Sequence, residues 1–146
     1  HQIQQHYDGE AFTLQLDSHH RFVPDWDEVL IGMWNDLRAS GVAKPLITAY
    51  IPSFDPHNDP AERQPDAWRL AFDRFTPEGV VFFLPIPWPG CTEATRPPRG
   101  RFYSAHFAFA EGAFAREVQH DPEYYFHGEE ISIAVRAFTH GYDIFQ

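Results

Sequence analysis

Cysteine, methionine and lysine are nearly missing: the 146-residue chain has one methionine, one cysteine (Cys91) and, among its 11 basic residues, the single lysine Lys44. A lone cysteine excludes an intrachain disulfide and a zinc–cysteine cluster, and it fits a reducing, cytoplasmic compartment. No apolar run approaches the roughly 18 residues that a membrane-crossing helix needs, and no basic-then-apolar start reads as a signal peptide. Positive charge is scarce as well, with 21 acidic against 11 basic residues and a formal net charge of −10. That balance excludes extended nucleic acid and anionic membranes as main partners. Neither GxGxxG nor GxxxxGK[ST] occurs, so there is no glycine-rich phosphate loop. With only 9 glycines against 14 Phe, 6 Tyr and 4 Trp, disorder and collagen-like structure are excluded too. What is there is one globular domain, long enough to bury roughly 70% of the surface its unfolded chain exposes.

The pattern along the chain mixes strands and helices. Residues 11–16 alternate as a strand and run into Asp17-Ser18-His19-His20-Arg21. Asp25, with Glu28 three residues on, predicts the N-cap of a helix that buries Trp26, Val29, Leu30, Met33, Trp34 and Leu37 and stops at Gly41. Strands are predicted over 45–51, 68–75, 80–84 and 102–109, with proline-rich loops over 52–65 and 85–99. Residues 112–118 read as a short helix. A second long helix is predicted over 129–139, with Ile131, Ala134, Val135 and Phe138 inward, and a last strand over 142–145. Mixed order with two long loops predicts an α/β sheet whose loops carry a site.

Two ends of the chain carry the chemistry. In an extended segment, residues i and i+2 project to one side, so Asp17 and His19 can meet a single divalent ion. A carboxylate with an imidazole suits Mn²⁺, Zn²⁺ or Fe²⁺ better than the all-oxygen preference of Mg²⁺ or Ca²⁺. Glu129 and Glu130 open the second helix, where the macrodipole favours negative charge, and one of them facing a cleft would bind hydroxyl groups. His140 lies just before Gly141, the position of a C-terminal cap partner.

These pieces resemble a family. Gly9-Glu10, Leu14-Gln15-Leu16-Asp17-Ser18-His19-His20-Arg21-Phe22 and Trp26-Asp27 are followed in order by four further blocks. The first three are Lys44-Pro45-Leu46-Ile47-Thr48, Ser104-Ala105-His106-Phe107-Ala108-Phe109-Ala110, and Tyr125-Phe126-His127-Gly128-Glu129-Glu130. The last is Ala134-Val135-Arg136 with Thr139-His140-Gly141-Tyr142-Asp143. Together, over nearly the whole chain, they resemble the polypeptide N-acetylglucosaminyltransferases that modify hydroxyproline or threonine, and more distantly the mucin-type GalNAc-transferases.

The resemblance implies a GT-A fold, a UDP-GlcNAc or related UDP-sugar donor, a protein or glycan acceptor and retention of configuration. It implies that Asp17, His19 and His140 hold a divalent metal, Mn²⁺ with Mg²⁺ as the alternative, on the donor diphosphate. Arg21, His106 and Gly128 would bind the donor, His106 standing where the family pattern has a glycine. Glu129 and Glu130 would sit under the transferred sugar and acceptor as the catalytic carboxylates. Only sixteen residues precede Asp17, so the expectation is the C-terminal catalytic portion of a longer GT-A domain. Its nucleotide-binding half would come from upstream or from a partner segment. Two other readings are open: a catalytically degenerate glycan- or protein-binding module, and a non-haem iron oxygenase using His6 and Asp8 as its His-x-Asp pair.

Overall fold

The computed structural model describes residues 1–124 and 128–146; Tyr125, Phe126 and His127 of the motif blocks lie outside the described residues. A four-stranded mixed sheet runs in the order β1-β5-β2-β6. Its strands are β1 (Phe12–Leu16), β2 (Pro45–Thr48), β5 (Phe107–Glu111) and β6 (Asp143–Phe145). β5 is antiparallel to both β1 and β2, whereas β6 lies parallel to β2. The remaining strands, β3 (Trp68–Phe75) and β4 (Val81–Pro87), form a separate antiparallel hairpin.

Side chains alternate across the sheet and give it two apolar faces. Ile47, Phe107, Phe109 and Phe145, with Phe12, Leu14 and Leu16, face α1 (Trp26–Ala39) through Leu30, Trp34 and Leu37. Phe12 stacks on Phe109 at 5.1 Å and meets Trp34 edge-on at 5.2 Å. Leu46, Ala108, Ala110 and Ile144 face the other way, onto α2 (Phe114–Glu117) and α3 (Glu129–Thr139) through Phe114, Ile133, Ala134 and Ala137. The result is the expected α/β fold, GT-A-like, a mixed sheet flanked by helices on both faces. Among the described residues, no helix is long and apolar enough to cross a membrane.

Several expectations are corrected in detail. Asp25 does not cap α1 with its side chain; it adopts a left-handed conformation (φ 57°), and its carbonyl accepts the Val29 N–H. Val29 and Met33 are exposed. α3 has the predicted ends, yet it buries Ile133, Ala134 and Ala137 and leaves Val135 and Phe138 exposed. The sheet face beneath it carries Ala108 and Ala110, so Ala134 and Ala137 approach closely with Ile133 packed beside them, while Val135 and Phe138 turn outward. The strand predicted over 102–109 begins only at Phe107, because side chains take up the preceding backbone groups. β4 runs on through Pro85 and Pro87, which a two-stranded hairpin with open edges accommodates.

At the start of β2, Lys44 Nζ lies 2.6 Å from Glu117 Oε2, and the Tyr142 hydroxyl donates to the same oxygen at 3.0 Å. The hydrogen bond from Lys44 chiefly, helped by that from Tyr142, holds the Glu117 carboxyl below the usual range. A depressed acid contributes stability that is present above its unfolded-state value and lost as pH falls through the folded one. Glu117→Gln is therefore expected to lower stability at pH 7 by about 1 kcal/mol, the scale of a partly exposed pair. Thermal melts of both proteins, repeated down to about pH 3, should show the gap closing as the wild-type carboxyl protonates below the ordinary range near 4.

Candidate functional site

Strand direction places the site. β1 and β2 run the same way and β5 runs back between them, so the ends of β1 and β2 and the start of β5 share one edge of the sheet. Asp17 follows β1 there and His106 precedes β5, brought together by the Leu16↔Phe107 register. They are doubly joined: Asp17 N–H donates to the His106 carbonyl at 3.3 Å, and His106 Nδ1 lies 2.8 Å from Asp17 Oδ2. The His106 side chain is only 13% exposed, its ring stacked on Tyr50 at 4.8 Å and 17°. His19 closes the group. Ligand atoms of Asp17, His19 and His106 all lie within 4.8 Å of one another, the one such trio of metal-capable side chains among the described residues.

His20 supports this cluster from beneath. Its Nδ1 lies 2.8 Å from the Asp17 carbonyl, which makes that nitrogen the N–H donor, and its ring is 4.7 Å from that of His106. Its Nε2 is buried and has no partner among the described residues.

A cleft of about 380 Å³ opens beside the trio, walled by Asp17, His106 and Tyr50, by Gly128, Glu129 and Glu130, and by the apolar inner side of the hairpin from Val81 to Pro85. Gly128 enters α3 with φ 92°, a left-handed conformation that costs a glycine little and aims the first helical turn at the cleft. Glu130 Oε1 accepts the Ala105 N–H at 2.8 Å. Burial pushes the Glu130 carboxyl above the usual range; the bond from Ala105 and the Ser104 side chain pull it back, while the charges of Glu129 and Asp17 push it further up. Among the described residues, three carboxylates line this cleft and no lysine or arginine does.

Of the residues singled out in the sequence, Asp17, His19, His106, Gly128, Glu129 and Glu130 meet here. Arg21 does not line the cleft: it is exposed, donates to the His20 carbonyl at 3.0 Å and lies over the Phe54 ring at 5.1 Å. His140 does not join the trio. It ends α3 with Nδ1 2.8 Å from the Arg136 carbonyl, and its own carbonyl accepts from Lys44 Nζ at 3.3 Å. Because β6 runs parallel to β2, with Asp143 opposite Pro45, His140 lies at the far end of the sheet and three strands across from β1, roughly 20 Å or more from Asp17. His106 stands with Asp17 and His19 instead. His6 and Asp8, the pair of the oxygenase reading, are exposed and belong to no such group among the described residues. Tyr50 and Thr48 were not legible as site residues; only their place at the end of a buried strand hinted at it.

A mixed sheet between helical layers, with a carboxylate–imidazole cluster and a cleft where its strands end, defines an α/β protein of GT-A-like build. The chain belongs to the GlcNAc glycosyltransferase family, whose model, described as glycosyltransferase (GlcNAc), matches residues 1–146. Its reaction class is accordingly glycosyl transfer, and the oxygenase reading falls away. No curated protein and no solved structure matches the chain.

Proposed function

We propose that this chain carries the metal and sugar side of the active site of a retaining, UDP-sugar-dependent GlcNAc transferase that acts on a polypeptide hydroxyl. The observation that carries the reading is the trio Asp17, His19 and His106 at the mouth of an acidic cleft. A nucleotide diphosphate entering a cleft lined, among the described residues, by three carboxylates and no lysine or arginine needs a positive charge from elsewhere. The donor set fits a divalent cation: ligand distances of about 2.1 Å put donors within about 4.3 Å of one another, close to the spacing seen. One carboxylate with two imidazoles favours Mn²⁺ over Mg²⁺. Bound there, the cation would neutralise the charge of the departing UDP.

The protein's own groups have separable tasks. Asp17 and His106 hold each other in place, so the donors are in position beforehand. Glu130 is tied to Ala105, so recognition of sugar or acceptor hydroxyls falls to Glu129 beside it. The apolar hairpin wall offers a surface for the acceptor and screens the reacting bond from water. The resemblance of the motif blocks supports the polypeptide acceptor, and the family supports the GlcNAc donor.

The test is UDP release from UDP-GlcNAc with Mn²⁺. Wild type should release UDP slowly, and Asp17→Ala should abolish it, a loss on the order of a thousandfold for removal of a charge-stabilising group. Release that persists unchanged in Asp17→Ala overturns the reading. Glycan binding without any turnover would favour the binding-module alternative.

A further inference from the structure

His106 is delivered to the trio by four residues, 104–107, whose backbone is held largely by groups from outside the tetrapeptide. Thr48 Oγ1 accepts the Ser104 N–H at 2.9 Å and donates to the Phe107 carbonyl at 2.8 Å, with the Ser104 carbonyl at 3.2 Å. Glu130 accepts the Ala105 N–H, and Gln15 Nε2 donates to the Ala105 carbonyl at 3.3 Å. Ser104 Oγ accepts the His106 N–H at 3.3 Å, while Asp17 N–H takes the His106 carbonyl. Hardly a polar backbone group of this stretch is left to water, an accounting that secondary structure alone normally supplies.

Thr48 is the keystone. It is fully buried at the end of β2, and Ser104 is 2% exposed. A valine would fill the same space in a strand without bringing a hydroxyl that must be satisfied. One hydroxyl bonds to both ends of the tetrapeptide and so closes it into a loop, from which the His106 side chain reaches Asp17.

We propose that Thr48 is a positioning residue of the cation site: its hydroxyl, through Ser104 and Phe107, fixes where His106 stands relative to Asp17 and His19. This rests on those three side chains being the cation ligands. Groups that orient ligands are worth nearly as much as ligands, because a loosely held imidazole loses its geometry.

Cobalt(II) alone, titrated into the full 146-residue chain and followed by its visible absorption, reports both affinity and ligand set. Thr48→Val is expected to weaken binding about 10- to 100-fold and to alter the band, the usual cost of losing an orienting partner. Thr48→Ser keeps the hydroxyl and should restore affinity and spectrum. Ser104→Ala removes the contact to the His106 N–H together with the Ser104 side chain's bond to Glu130 and leaves the Thr48 hydroxyl in place, so it should weaken binding in the same direction but less; it also decides the matter should Thr48→Val fail to fold. Wild-type affinity and spectrum in Thr48→Val and Ser104→Ala, with binding lost in Asp17→Ala, overturn the positioning role and leave the cation site standing. A Thr48→Ser protein as weak as Thr48→Val also overturns it. No cobalt uptake by wild type, or none lost in Asp17→Ala, overturns the cation site and the positioning role together.

Discussion

Replacing His106 by alanine is expected to reduce affinity for Mn²⁺ by at least about a hundredfold, more than the loss of an orienting partner alone would cost. Three effects act in the same direction. The substitution deletes one of three donors. It frees Asp17 Oδ2 from the nitrogen 2.8 Å away, so the carboxylate is no longer held in place. It also leaves Tyr50 without the ring it stacks on, opening the trio to the solvent. Isothermal titration with Mn²⁺ measures the loss, and UDP release from UDP-GlcNAc should fall in parallel. Stability should change little, by about 1–2 kcal/mol, because the change trims a partly buried ring from a loop. A His106→Ala protein with wild-type Mn²⁺ affinity would remove His106 from the site. His140→Ala, at the other end of the sheet, should leave Mn²⁺ binding within about twofold, since distant sites act independently.

The contrast between these two histidines shows what the sequence made legible. Asp17 and His19 were readable together because a strand's period of two is local. Glu129 and Glu130 were readable because helix starts have a local signature, and α3 begins and ends where its periodicity predicts. His106 joins Asp17 through an antiparallel register between residues some ninety positions apart, and nothing local specifies that register. His140 is excluded because β6 runs parallel to β2, a direction that no composition or spacing encodes. The inward stripe of α3 differs for a packing reason: bulk alone does not decide burial, and a sheet face on which Ala108 and Ala110 stand beside Leu46 and Ile144 receives Ile133, Ala134 and Ala137 while Val135 and Phe138 turn outward. The segment 102–106 looked like strand by its apolar run. Its backbone is instead spent on Thr48, Glu130, Gln15 and Asp17, contacts that build the site and that only tertiary structure reveals.

Gly112→Ala is expected to be the most damaging small substitution to the fold. Gly112 leaves β5 and donates its N–H to the Ala11 carbonyl at 2.9 Å, so the chain before β1 passes directly over it. A Cβ there would lie 1.8 Å from the Glu10 carbonyl oxygen and 2.8 Å from Tyr7 Cε2. A side chain can rotate away, but a backbone carbonyl cannot, so the entry to β1 must shift and the hydrogen bond to Ala11 is strained or lost. Overpacking against movable neighbours costs about 1–3 kcal/mol, and this clash with main chain belongs at or beyond the top of that range. For a domain of this size, that corresponds to a fall in Tm of about 10 °C. Gly32 is the control: it lies within α1, nothing stands within 4 Å of a Cβ there, and Gly32→Ala should stabilise by about 1 kcal/mol through helix propensity. Gly112 lies at the end of the sheet away from Asp17 and His106, so folded Gly112→Ala protein at low temperature should still bind Mn²⁺ within about twofold of wild type. A Tm within 2–3 °C of wild type, about 1 kcal/mol, would mean that the passage of residues 7–11 over β5 is looser than the contact implies. The edge strand that delivers Asp17 would then be anchored by its pairing with β5 alone.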